Sequence, residues 1–420
     1  MATDLLTLAA TIIDTGDRQT PTNRVNLELS EVAEGLAVVE AFSHVWALRT
    51  EDGLVLFDAS SDMLGAAVAD ALRGWSTEPV HTIVYTHGHR DHVGGAPAFL
   101  ADAEARGHAR PTVIAHEAVA ARLDRYDLTN GYNAVINQRQ FRLPEAHWPR
   151  DWVRPTVEFS DTSNVEVGGV AIELHHDRGE TDDHAWAWLP DQKAIVAGDF
   201  LIWNFPNAGN PQKVQRYPLE WAFALRTMAR QGAELFLPAH GLPIGGADRI
   251  AMVLDETADA LEALVSETLA MMNEGARLDQ IVQAVKVPAA VLERPWMQPN
   301  YDEPEFVVRN IWRLYGGWYD GNPARLKPAP DATIAAEVAA LAGGASALAG
   351  RAQEVADAGD LRLACQLVEW AAEAEPDDPQ LHRTRAEIYG RRRHEETSLM
   401  AKGIYRAAAD DSSAIAHREP

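Results

Sequence analysis

Residues 86–95, THGHRDHVGG, constrain this chain more than any other stretch. They place His87, His89, Asp91 and His92 within six positions. Three imidazoles and a carboxylate set so close cannot all reach one ion, but they can serve two. The segment before them, HTIVYTH, alternates Ile83 and Tyr85 with Thr82 and Val84, and side chains two apart on an extended backbone share a face. His87 and His89 therefore project together toward one metal. A turn at Arg90 then aims Asp91 and His92 at a second. Neutral imidazole and carboxylate suit a borderline metal such as zinc, and an open coordination position on each ion admits water. The plain alternative is a solvated polar loop. An apolar strand before the motif and Gly94 and Gly95 after it argue for a built site instead.

Composition sets the outer limits. At 420 residues the chain is long for a single core, and a usual domain size of about 100 to 200 residues suggests two or three units. An apolar fraction of 46% with 24% charged residues is that of a globular protein with a sizeable core. The 62 acidic against 37 basic residues give a formal charge of −25, which disfavours nucleic acid and anionic membrane surfaces as partners. The same charge repels an anionic substrate at long range, so recognition of an anion has to be local. The single cysteine, Cys365, excludes an internal disulfide framework, and its helical surroundings LRLACQLVEWA assign it to the core. No run reaches the ~18 apolar residues of a spanning helix, and Asp4 stands where a signal peptide is positively charged. The expectation is a cytoplasmic protein that engages no membrane, unless a leader has been removed.

The HxHxDH stretch after a strand resembles the signature of the metallo-β-lactamase-fold superfamily. That resemblance implies an α/β fold, a four-layer αββα sandwich whose metals are bound by loops at one rim of two sheets, and a binuclear hydrolase. The pattern around it is compatible. Residues 1–30 read as polar and irregular, wrapping the outside of the first sheet. From Leu36 short strands follow in GLAVVEAF, HVWALRT and GLVLFDAS, with Glu51-Asp52-Gly53 as a hairpin signal between the last two. MLGAAVADALRGW is helical, and APAFLADAEARG and AVAARLDRYD are helices around the strand PTVIAHE, in which His116 reads as structural. TNGYNAVINQRQFRLP has the composition of a lid or binding loop, and Asn130, Tyr132, Asn133, Asn137 and Arg139 offer donors for a polar head group.

Further on, RGETDDHAWAWLPDQKAIVAGDF carries Glu180 where most of the superfamily has a histidine directly after the glycine. An oxygen ligand there still serves the first metal, with His184 as the alternative ligand. Asp199 ends a buried apolar strand, where an unpaired carboxylate is costly unless it meets a cation, so it is the natural bridge between two metals. The 19 residues from Glu180 to Asp199 (199 − 180) fit a strand, the LPDQK turn and a strand back, which puts both ends on one rim. LFLPAHGLPIGG delivers His240 to the same rim, completing a set with Asp91 and His92.

From about Asp248 the pattern is helical. AMVLDETADALEALVSETLAMMNEG has apolar residues at i, i+3, i+4 and i+7, and five further helical segments follow the proline-rich KPAPDAT. The pair around residues 364–374 resembles a tetratricopeptide hairpin. With Glu180, Asp199 and the string RNIWRLYGGWYDGNPARL ahead of paired helices, the chain resembles the alkylsulfatase branch, the zinc-dependent group of sulfatases, over nearly its whole length. Residue by residue, that resemblance implies His87, His89 and Glu180 on one Zn²⁺, Asp91, His92 and His240 on another, and Asp199 between them, with Mn²⁺ or Fe²⁺ as alternative ions. The family usually has glutamate where Asp199 stands, and the shorter side chain bears on metal spacing.

The resemblance also implies a catalytic domain over residues 1–254 and a helical domain over 255–420 that makes a homodimer. Its implied activity is cleavage of a small-molecule sulfate ester to an alcohol and inorganic sulfate, with Asp91 and Asp199 as catalytic carboxylates. Well-known members continue into a lipid-carrier-like domain, whereas this sequence stops at Pro420, so shorter or branched esters are expected. Guanidinium matches a tetrahedral oxyanion, which makes Arg139, Arg309 and Arg313, with Asn133, the candidates for holding sulfate. Trp203, Phe205, Trp296 and Tyr315 are candidates for an apolar wall, although core is the default for each. Hydrolysis of carboxylic esters, lactones or thioesters on the same scaffold is the alternative, and it normally goes with histidine at the place of Glu180. A scaffold that binds metal and acts only through its helices is a third reading.

Overall fold

The computed structural model describes residues 4–143 and 145–417, which divide into two units. The first comprises Met1–Asn133, Trp148–Ala276 and Gln280–Gly317, and the second Ala134–His147, Arg277–Asp279 and Trp318–Pro420.

The first unit is built on two mixed sheets. In one, β1 (Leu29–Ala33), β2 (Leu36–Val39), β3 (Val45–Thr50), β4 (Gly53–Phe57), β5 (Val80–Val84), β6 (Thr112–His116) and β7 (Val157–Phe159) lie side by side in that order. Tight turns join β1 to β4 as an antiparallel meander, while helices cross over between β4, β5, β6 and β7 and make those pairs parallel. The EDG signal is the β3–β4 hairpin, with Thr50 opposite Gly53. Gly53 has φ 123°, and a Cβ there would sit 2.4 Å from the Pro79 carbonyl oxygen, so the position needs glycine. The other sheet orders β13 (Ile244–Gly245), β12 (Leu235–Pro238), β11 (Ala194–Gly198), β10 (Ala185–Leu189), β9 (Val170–His176) and β8 (Thr162–Val167), with only β11 and β12 parallel. Every residue of β2, β4 and β11 is buried, which is why these strands appear in the sequence as apolar runs without alternation. Helices Gly65–Trp75 and Ala96–Arg106 pack together on the first sheet's side, and Pro218–Arg230 packs against Ala247–Asn273 beside β12 and β13.

Two expectations of irregular chain are corrected. Leu5–Thr15 is a helix: the Asp4 carboxylate accepts from the Leu6 backbone N–H at 3.1 Å, and Leu5, Ala9, Ile12 and Ile13 form one buried stripe. The supposed binding loop is the helix Asn130–Phe141, which buries Ala134 and Ile136. Its first residues belong to the first unit and those from Ala134 to the second. Helix Ala247–Asn273, which runs across residue 254, lies wholly in the first unit.

The second unit is helical. Helices Asp331–Ala342, Ala345–Asp357, Leu361–Ala374, Pro379–Glu395 and Leu399–Ala416 follow one another, and Asp360 and Asp378 cap the N-termini of the third and fourth. Ala352, Ala356, Leu361, Ala364, Val368 and Ile388 form one of its cores, and the alanines let the helix backbones approach closely. Cys365 belongs to that core, and burial raises its thiol to about 11, so it is not a reactive thiolate. Among the described residues no single helix is long and apolar enough to cross a membrane.

Candidate metal centre

The strand ends of the first unit converge. After β5 the chain passes through His87 and His89 into the short helix Arg90–Val93, which presents Asp91 and His92. Glu180 lies in the turn between β9 and β10, Asp199 follows β11, and His240 follows β12. Their side chains form two groups: His87, His89, Glu180 and Asp199 in one, Asp91, His92 and His240 in the other, with one donor atom from each member within 4.8 Å of the rest of its group.

Asp199 joins the two. Its Oδ2 lies 3.8 Å from His87 Nε2, while its Oδ1 lies 3.3 Å from His92 Nε2 and 3.5 Å from His240 Nε2. Asp91 Oδ2 is 3.4 Å from His240 Nε2, and His89 Nδ1 is 3.9 Å from Glu180 Oε1. Four donors at zinc bond lengths on a tetrahedron are about 3.3 Å apart, and the second group already has that spacing. His92 Nε2 and Asp199 Oδ1 are buried without a hydrogen bond, a costly state for polar atoms unless a cation lies between them. Nitrogen and oxygen donors in this mixture suit divalent metal ions, and the residues fit such ions.

The electrostatics agree. Burial drives His87 and His89 well below the ordinary imidazole value, so both rings are neutral donors. Burial opposes a charge on His92, but the carboxylates of Asp199, Asp58 and Asp91 outweigh it and raise its pKa well above the ordinary value. Burial, opposed by Arg216 and reinforced by the neighbouring Asp199, lifts Glu180 to about 8. Asp199 goes the other way, because His92 and His240 overcome its burial and hold it far below the usual carboxylate range. Carboxylates crowded this closely call for positive charge between them.

Around the two groups stand residues that only the folded chain brings in. Asp58, at φ 62° where β4 ends, accepts from the Thr86 backbone N–H at 2.7 Å and lies 2.7 Å from His92 Nδ1. It fixes the proton on Nδ1 and leaves Nε2 free as a donor. The positive φ of a non-glycine residue here is backbone strain stored beside the site. Arg122 donates to Asp183 at 2.7 Å, and Asp183 accepts from the Gly88 N–H at 3.0 Å, which clasps the peptide between His87 and His89. Asn207 donates to the Glu180 carboxylate, and the buried Arg216 donates to the Glu180 carbonyl and lies 3.3 Å from its Oε1. Lys213 sits over the Trp148 ring at 5.7 Å and feels both Asp91 and Glu180, although burial lowers its pKa to about 8.

The remaining sequence candidates fall elsewhere. Asn133 donates to the carbonyl and hydroxyl of Thr129, just ahead of its own helix, Arg139 lies in the second unit, and Arg309 is an exposed partner of Glu305. Arg313 donates to Gln215 and Asn310. His184 Nε2 accepts from the Asp199 backbone N–H at 3.1 Å, so it supports a ligand of the first group while lying outside it. His116 stacks on His176 at 3.6 Å. Trp203, Phe205 and Trp296 are core, while Tyr315 is exposed.

Residues 38–240 match the metallo-beta-lactamase superfamily, and residues 277–414 match the alkyl sulfatase dimerisation family. Sheets, strand-end candidate ligands and these matches together define a metallo-β-lactamase-fold protein with a candidate divalent-metal centre. A linear primary-alkylsulfatase from Pseudomonas sp. is 27% identical over 354 residues, 79% of this chain and 66% of the relative. An (R)-specific secondary-alkylsulfatase from Pseudomonas sp. is 24% identical over 388 residues, 86% of this chain and 58% of the relative. The structure of a stereoselective inverting sec-alkylsulfatase from Pseudomonas sp. superposes with a TM-score of 0.83 at 22% identity, covering 94% of this chain and 66% of that one, and shows the same fold. The chain belongs to the alkylsulfatase branch of the superfamily, and it spans between half and two thirds of the length of the curated relatives it matches.

Proposed function

We propose that the protein is a binuclear zinc hydrolase that cleaves alkyl sulfate esters to an alcohol and inorganic sulfate. The observation that carries this reading is Asp199, which turns one carboxylate oxygen toward each of two ligand groups. Relatives named as linear primary-, secondary- and alkyl/aryl-sulfatases support the substrate class. His87, His89 and Glu180 would hold one ion, Asp91, His92 and His240 the other, and Asp199 both. When bound, two such ions supply an activated water near neutral pH and countercharge for the sulfate oxygens.

The chain's own residues do the rest. His87 and His92 have no solvent-accessible side-chain surface (0%), whereas Asp91 and His89 keep 26% and 18%, so the ester approaches on the side of Asp91 and His89. Asp91, on that side and 3.4 Å from His240, is placed to take the proton given up by the attacking water. Asp58 keeps the His92 proton on Nδ1, and Asn207 and Arg216 hold Glu180 in one orientation. Lys213, near enough to feel the charges of Asp91 and Glu180, would offer a cation to the anionic head group. The helical unit, matched to a dimerisation family, is the surface through which two copies would join as a homodimer.

Metal analysis of the purified protein, followed by assay of primary and secondary alkyl sulfates beside a lactone and a thioester, tests the proposal. Two zinc ions per chain and chelator-sensitive release of sulfate are expected. Lactone or thioester turnover without sulfate release would overturn the substrate class, and full activity of Asp199→Ala would overturn the bridged centre.

A further inference from the structure

One metal ligand is gripped from the opposite sheet. Strand β12 ends at Pro238 and passes the chain to Ala239, His240 and Gly241. His44, just before β3, donates its backbone N–H to the Ala239 carbonyl at 2.7 Å, and its ring Nε2 lies 2.9 Å from the Gly241 carbonyl oxygen. A carbonyl only accepts, so Nε2 carries the ring proton, and Nδ1 accepts from the Ala41 N–H at 3.2 Å. One residue thus holds the peptide carbonyl on each side of His240. The residue is 2% exposed, and both its ring nitrogens are engaged. From the other side Trp203 closes on the turn: a Cβ at Gly241 would lie 2.2 Å from its ring, and its Nε1 donates to Leu242 at 2.8 Å.

The neighbours of His44 extend the grip. The Phe42 ring meets the His240 ring edge-on at 5.3 Å, and Ser43 Oγ lies 3.2 Å from His92 Nδ1. In the β2–β3 turn, Phe42 thus meets His240, Ser43 meets His92, and His44 meets the residues on either side of His240, and both histidines belong to the second candidate group. The first group is held by a different set: Asp183 at Gly88, Asn207 and Arg216 at Glu180. Apart from Asp199 and Asp58, which serve both groups, the two ions would thus be supported by separate pieces of chain.

Building on the binuclear reading, we infer that His44 is the positioning residue of the second metal site, acting through His240, and that it sets the affinity of that site independently of the first. Partners that orient a metal ligand without touching the metal commonly change affinity by about 10–100-fold when removed. Three substitutions isolate the role. His44→Phe keeps the ring shape and the backbone N–H but removes both ring nitrogens. His44→Asn places a polar group near Nδ1 only, whereas His44→Gln brings an amide N–H to the place of Nε2.

The experiment is Co²⁺ titration of the full chain against a competing chelator, read by visible absorption, with thermal unfolding of the metal-free proteins recorded alongside. Wild type is expected to take two ions. His44→Phe and His44→Asn should bind the first as wild type does and the second about 10–100-fold more weakly, while His44→Gln stays within about threefold of wild type. Equal weakening of both ions, wild-type binding by His44→Phe or His44→Asn, or a His44→Gln as weak as His44→Asn would each overturn the inference. A wild type that binds no Co²⁺ would overturn the metal centre itself.

Discussion

Glu180 is a buried carboxylate of the first candidate group, and its partner Arg216 explains how it is kept there. The guanidinium, with 2% of its side chain exposed against 4% for Glu180, meets both the carbonyl and the carboxylate of one residue. Removing one partner of a buried charged pair typically costs about 3–5 kcal/mol, a cost expected in full here only above about pH 8, where the Glu180 carboxyl is charged. Arg216→Met should therefore lower the urea midpoint of the metal-free protein, and Arg216→Met with Glu180→Gln should cost much less than the sum of the two single changes. Additive effects in that cycle would mean that Arg216 supports the fold and not Glu180. Among the seven candidate ligands, the HxHxDH cluster stood out by its spacing and Asp199 and His240 by closing apolar strands, whereas Glu180 was singled out by its place in the family pattern. Arg216, Asn207, Asp58 and His44 were not legible in the sequence. Their partners lie 36, 27, 34 and 197 residues away along the chain, and nothing local marks one arginine among many as the buried one.

The segment from Phe205 to Asn210 is the element that carries Asn207 to Glu180. Phe205 N–H donates to the Gln298 carbonyl at 2.9 Å and Gly209 N–H to the Asp302 carboxylate at 2.6 Å. A Cβ at Gly209 would lie 2.2 Å from the backbone of Phe306 and Val307, so Gly209→Ala should destabilise the protein by about 1–3 kcal/mol in urea denaturation. Asp302 is fully buried, and that burial raises it to about 7 against the N–H donors of Gly209, Glu303 and Asn210 and the charge of Arg216. A carboxyl raised above its unfolded value of about 3.9 binds more protons folded than unfolded across that window, so its contribution to stability falls as pH rises from about 4 to about 7. Urea midpoints measured over this range should decline less steeply in Asp302→Asn than in wild type. Identical slopes would place the titration elsewhere. At this scale the buried strands were plain from their apolar runs, but the partly exposed β1 and β8 and the helix Asn130–Phe141 were not. Asn and Gly disfavour helix locally, and burial of Ala134 and Ile136 overrides that preference. Leu5–Thr15 was missed for the opposite reason: its stripe has helical spacing but sits within a polar tract of thirty residues that reads as irregular on average.

At the scale of the molecule the charge of −25 opposes the chemistry proposed for the site. A sulfate monoester is itself an anion, so every encounter runs against the protein's overall field, while capture depends on positive charge within a few ångströms of Asp91 and Glu180. These two contributions respond differently to salt. The Debye length shrinks from about 30 Å at 0.01 M to about 10 Å at 0.1 M, which screens the distant acidic surface long before it weakens contacts inside the centre. Raising ionic strength over that range should therefore increase kcat/KM for an alkyl sulfate by a few-fold, with kcat nearly constant, while a neutral ester tested beside it stays flat. Lys213→Met gives the complementary readout, a KM for the sulfate raised by about tenfold with a smaller change in kcat, because it removes local attraction and leaves the distant field in place. A sulfate kcat/KM that falls with added salt would show that the centre's own positive field reaches past its walls, and that the acidic exterior does not govern the approach of substrate.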